Sequence, residues 1–82
     1  MWRVDVPRSV ERALSRIPKD DRDRIGAVLE SIEKSPFEGD IRKLDPRQYR
    51  RRVGRYRIIF SITAENRVVL IERIVRRTST TY

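Results

Sequence analysis

The chain has no cysteine and no histidine among its 82 residues. Without cysteine there is no disulfide, no thiolate metal site and no thiol nucleophile. Without histidine the most frequent general base, the most frequent zinc ligand and the Ser–His mechanism are excluded. The three glycines are too few and too scattered to form a Gly-rich phosphate cradle. No apolar run approaches the roughly 20 residues that a membrane-spanning helix needs. The opening residues, Met-Trp-Arg-Val-Asp-Val, carry charge where a secretory leader would be apolar. A reduced, cytoplasmic compartment is therefore the expectation. A chain of this length builds one domain, 1–82, around a small core.

What the sequence does have is positive charge, unevenly placed. Lys and Arg total 20 against 12 Asp and Glu, a formal net charge of +8. Residues 1–41 hold eight basic and nine acidic residues, whereas residues 42–82 hold twelve basic and three acidic. The whole excess lies in the second half. Seventeen of the basic residues are arginine, whose planar fork pairs with phosphate and stacks on bases. Such a surplus points to a polyanionic partner, nucleic acid first and an acidic protein second.

Apolar spacing predicts the elements. Trp2–Val6 alternates as a first strand, which Pro7 ends. Val10, Leu14 and Ile17 recur at helical spacing up to Pro18. Ile25, Val28, Leu29 and Ile32 form the stripe of a second helix, which starts near Asp20 and Asp21 and is closed by Ser35-Pro36. Phe37–Pro46 reads as a loop. Three strands follow: Gln48–Val53, Tyr56–Thr63 and Arg67–Val75, the last being the most apolar and expected to be central and covered on both faces. The order is β-α-α-β-β-β. The fold class is α+β: an antiparallel two-helix hairpin packed on one face of a mostly antiparallel sheet, leaving the other face partly open.

Strand parity puts Arg50 and Arg52 on one face, and Tyr49, Arg51 and Val53 on the other. Two guanidinium groups at this spacing stand roughly 7 Å apart, comparable with adjacent phosphates of one RNA strand. Arg57 lies just past the Gly54-Arg55 turn, and Arg76 and Arg77 leave the last strand together. Correct hairpin pairing would bring these positions to one end of the sheet. Asp20, Asp21 and Asp23 are read as charges complementing a helix N-terminus rather than a metal cluster. No metal-ligand spacing is present, and none of the serines or threonines has a base partner. Tyr82, in a polar, arginine-rich tail, can stack on a base or donate a proton.

Arg42-Lys43-Leu44, the stretch Tyr49-Arg50-Arg51-Arg52-Val53-Gly54-Arg55-Tyr56-Arg57-Ile58-Ile59-Phe60, and the closing Ile74-Val75-Arg76-Arg77 with a tyrosine soon after resemble RelE/ParE-type toxins of bacterial toxin–antitoxin pairs. The resemblance covers nearly the whole chain. One branch of that superfamily comprises ribosome-dependent mRNA endonucleases; another poisons DNA gyrase. The resemblance to the endonuclease branch, which is favoured here, implies catalytic roles for Arg50, Arg52, Arg57, Arg77 and Tyr82. It implies RNA contacts from Lys43, Arg51, Arg55 and Arg76. It also implies a cognate antitoxin and mRNA on the ribosome as partners, with no metal, no small-molecule cofactor and no membrane. A gyrase inhibitor without nuclease activity, or an inactive RNA- or protein-binding module, are the alternatives. Arg50 and Arg52 stand where the family often has lysine, and arginine, with a pKa above about 12, is a poor general base. Acceleration would then come from orientation and charge compensation.

Overall fold

The computed structural model describes residues 1–76. Its elements are β1 (Arg3–Asp5), α1 (Arg8–Ser15), α2 (Lys19–Lys34), β2 (Ile41–Lys43), β3 (Gln48–Val53), β4 (Tyr56–Thr63) and β5 (Val68–Arg76). They form one five-stranded sheet in the order β1-β5-β4-β3-β2. The β1–β5 pairing is parallel and the others are antiparallel. α1 lies against β5, and α2 reaches β1 and β3. The helices therefore cover one face, as the α+β reading expects, and the other face is open.

Both helices begin after a proline. Pro7 and Pro18 hold extended backbone immediately before the first helical residues, where a fixed φ suits a helix start. Lys19 Nζ donates to Asp23 Oδ2 at 2.9 Å one turn along α2. That hydrogen bond, with the lysine charge, holds the Asp23 carboxyl below its usual 3.8. Its stabilisation is present above the ordinary carboxylate range and fades as pH falls through the lowered value.

The covered face gathers Tyr56, Ile58, Phe60 and Ile62 of β4, Val69 and Ile71 of β5 and Val53 of β3. Val10, Ile17, Ile25 and Ile32 close over them from the helical side. An aromatic chain runs along one flank. Trp2 meets Phe37 edge-on at 5.8 Å, Phe37 meets Tyr49 edge-on at 6.1 Å, and Tyr49 stacks on Phe60 at 5.9 Å. These distances fall in the range where aromatic pairs gain beyond simple burial.

Two expectations change. The segment read as a loop over 37–46 contains β2, an edge strand pairing Ile41, Arg42 and Lys43 with Arg51, Arg50 and Tyr49. Three residues with one apolar member are too short to show a period of two, and the strand is recruited by the free edge of β3. The last strand is neither central nor covered on both faces. β4 is the central, most buried strand, while Leu70 and Val75 of β5 are 39% and 38% exposed on the open face. Counting apolar residues overrated β5, because its run is interrupted by a bulge opposite Ile59 and Phe60, where Glu72 is the extra residue.

The β3–β4 turn is Gly54-Arg55, flanked by the pair Val53 and Tyr56. Gly54 has φ +58°, as a two-residue hairpin turn requires at that position. Gly39 has φ +95°, and a Cβ there would collide with the Arg51 guanidinium carbon. Arg51 Nη1 donates to the Glu38 carbonyl at 2.7 Å, so the guanidinium fills the space a side chain would take. Gly39→Ala is expected to cost about 2–3 kcal/mol, combining left-handed backbone strain with a lost hydrogen bond. Urea denaturation would show this as a lowered midpoint at an unchanged slope.

Candidate nucleic-acid interface

The open face is built by parity. Arg50 and Arg52 of β3 lie on it, with Arg57, Ile59 and Ser61 of β4. One row across the strands reads Arg42, Arg50, Ile59, Arg73, and the next reads Arg52, Arg57, Val75. Arg42–Arg50 and Arg52–Arg57 are directly opposed like-charge pairs, an arrangement that destabilises a sheet. Among the described residues the ion pairs are Arg3–Asp5 and Lys19–Asp23. None of these arginines has an acidic partner there.

Ile59 is only 6% exposed although no helix covers this face. Its cross-strand neighbours are Arg50 and Arg73, whose aliphatic stems are placed to cover it and send the charged heads outward. The Nε atoms of Arg50, Arg52 and Arg57 are shielded from solvent and have no hydrogen-bond partner. These three arginines thus occupy neighbouring strand positions on the open face with no acidic partner among the described residues. Arg42→Thr removes one like-charge pair at an exposed edge position. It is expected to stabilise the fold by about 0.5 kcal/mol, raising Tm by about 2–4 °C, while weakening RNA binding. Thermal melting and an RNA titration check the two effects.

The positions named from sequence divide. Arg50, Arg52 and Arg57 share the open face. Arg51 is on the opposite face, tied to Glu38. Lys43 pairs with Tyr49 on the edge strand, and Arg55 sits exposed in the hairpin turn. Arg76 pairs with Tyr56, so it is at the same end of the sheet as Arg52 and Arg57 but on the opposite parity. Arg77 and Tyr82 lie outside the described residues. Arg42 and Arg73 join the arginine rows without having been singled out. Parity on a strand at 41–43 would have found Arg42. Arg73 was hidden by the bulge, since unbroken alternation from Val69 and Ile71 sends it to the core. Among the described residues no group of His, Cys, Asp or Glu is arranged to hold a metal ion, and no helix is long and apolar enough to cross a membrane.

A helical hairpin on one face of a five-stranded sheet, with arginines that have no acidic partner among the described residues across the other, defines a small α+β domain with one cationic face. The chain belongs to the family of ParE toxins of type II toxin–antitoxin (parDE) systems, whose pattern matches residues 2–80, and it is a type II toxin of the RelE/ParE superfamily. Solved structures agree on the fold. RelE in the archaeal RelE–RelB complex of Pyrococcus horikoshii is 28% identical, with 96% of this chain and 98% of that chain aligned at a TM-score of 0.87. The isolated E. coli RelE toxin is 14% identical over 98% of this chain and 88% of that one, with a TM-score of 0.83. The Mycobacterium tuberculosis toxin–antitoxin complex RelBE2 gives 20% identity, coverage of 93% and 98%, and a TM-score of 0.80. No curated protein matches in sequence at a significant level.

Proposed function

We propose that residues 1–82 form one RelE-like toxin domain, a ribosome-dependent endoribonuclease that cleaves mRNA and arrests translation in the cytoplasm. The observation that carries this reading is the pair of arginine rows on the open face, where Arg50, Arg52 and Arg57 have no acidic partner among the described residues. Like charges held opposite one another are unfavourable for the free protein and favourable for a complex with phosphates.

The proposed reaction is a metal-independent transesterification. The ribose 2′-oxygen bonds to the adjacent phosphorus as its proton passes to water. The bond from phosphorus to the 5′-oxygen breaks, and that oxygen takes up a proton from water. The products are a 2′,3′-cyclic phosphate and a free 5′-hydroxyl. Arg57 compensates charge on the non-bridging oxygens, with Arg76 and Arg77 as further donors. Arg50 and Arg52 hold the backbone, and Lys43, Arg51 and Arg55 extend RNA contact around the sheet. Tyr82 stacks on a base or assists proton transfer. Codon positioning is left to the ribosome.

Primer extension on translating ribosomes tests this reading. Discrete new 5′ ends within codons support it; intact mRNA, where a control toxin cuts, rejects it. The solved RelE complexes hold RelB antitoxins, which supports a cognate antitoxin for this chain. Its acidic, partly disordered segment would cover the arginine face with salt-dependent affinity. The family description names ParE, and this favours a second reading, inhibition of DNA gyrase without nuclease activity. Loss of supercoiling with accumulated cleaved DNA, and no mRNA cutting, would select it.

A further inference from the structure

Beside the arginine rows the open face carries a pocket of different chemistry. Its volume is about 550 Å³, and Asp45, Pro46, Arg47, Gln48, Ser61 and Glu72 line it. Gln48 and Ser61 are direct cross-strand partners, one row away from Arg50 and Ile59. Glu72 is the extra residue of the β5 bulge. Glu72 shares the open face with Leu70 by parity, and its Oε1 accepts from Gln48 Nε2 at 2.6 Å. On the pocket's other side Asp45 Oδ1 accepts the backbone N–H groups of Arg47 and Gln48 at 2.9 and 2.8 Å. Both carboxylates are thereby oriented, each with a second oxygen to spare. Arg73 is next in sequence to Glu72, and Arg50 is two residues from Gln48. Even so, neither acid makes an ion pair among the described residues.

We infer that this pocket is a nucleobase subsite that accepts a base bearing an exocyclic amino group and rejects uracil. A phosphate belongs on the arginine rows and would be repelled by Asp45 and Glu72. A basic peptide side chain would suit the carboxylates, but the flanking arginines would repel it. A nucleotide satisfies both halves at once. Its phosphate meets Arg50, and its base, roughly 7 Å along the strand, meets acceptor oxygens. Carboxylates accept from the amino group of cytosine, adenine or guanine. Uracil offers a single N3–H flanked on both sides by carbonyl oxygens, and those oxygens face the paired carboxylates unfavourably. The subsite rests on the RNA-binding part of the proposed function, not on cleavage.

The test is fluorescence anisotropy at low salt with short 2′-O-methyl oligocytidine and oligouridine, which cannot be cut, on the full chain and on Glu72→Gln. Glutamine is isosteric, keeps an oxygen for Gln48 and adds a donor; matching thermal melts verify the fold. Oligocytidine is expected to bind about tenfold tighter than oligouridine to the wild type, the discrimination one good base-edge contact supplies. In Glu72→Gln the ratio should fall below about threefold, mainly through tighter oligouridine binding. Equal affinities in the wild type, an unchanged ratio in the variant, or no binding of either oligonucleotide would overturn the proposal. So would tighter binding of an oligolysine peptide that the variant loses. If ribosomal mRNA stays intact while the cytosine preference holds, the nuclease reading falls and the subsite stands.

Discussion

Arg57→Ala is expected to slow mRNA cleavage on programmed ribosomes by about 10²–10³-fold, the loss seen when one preorganised donor to a developing oxyanion is removed. Arg57 sits on the central strand β4, opposite Arg52, with its Nε shielded and unpartnered. A side chain fixed at a strand position is already oriented when substrate arrives, so under the proposed reaction its contribution would fall mainly in the transition state. The substitution should leave the melting temperature unchanged or slightly raised, because it also removes a like-charge pair. Arg57→Lys keeps the charge but loses the planar fork, and should recover only part of the rate. Single-turnover cleavage and thermal melting, read together, check this. A rate within threefold of wild type in Arg57→Ala would remove Arg57 from the chemistry. A collapsed melting temperature would mean that the residue holds the sheet together.

The parts of this molecule that were legible in the sequence are those set by one regular period. Ile25, Val28, Leu29 and Ile32 announce α2, and Tyr56, Ile58, Phe60 and Ile62 announce the buried face of β4. The same period placed Arg50 and Arg52 together and Arg51 apart. What stayed hidden breaks a period or arises from pairing. β2 has three residues and exists because β3 offers an edge. The bulge at Glu72 reverses parity along β5, so Arg73 turns outward and joins the face that Leu70 and Glu72 already share. No local preference in Leu70-Ile71-Glu72-Arg73 marks that slip. It belongs to the fit between two strands of unequal length, and it puts Arg73 rather than Glu72 opposite Ile59, so that the row shared with Arg42 and Arg50 is cationic.

Phe60→Ala is expected to unfold the domain, with a loss of about 3–5 kcal/mol. Phe60 is fully buried at the middle of the central strand. It pairs with Tyr49 on one side and Ile71 on the other, and its ring stacks on Tyr49 at 5.9 Å. Truncation removes the inner end of the aromatic chain that runs out through Tyr49 and Phe37 to Trp2. The void left beneath the helices cannot be filled from the sheet, because Ile58 and Ile62 on either side are themselves buried against the core. Domains have only about 5–15 kcal/mol of stability in total, and small ones, without a disulfide, sit at the lower end. The two effects of comparable size thus separate cleanly. Removal of Arg57 is expected to end function in a folded protein, whereas removal of Phe60 is expected to end it by removing the fold. Phe60→Leu keeps most of the volume and should cost only about 1–1.5 kcal/mol, leaving a folded, active chain with a lower urea midpoint. If Phe60→Ala melted within about 5 °C of wild type, the core would have to be organised around residues other than β4.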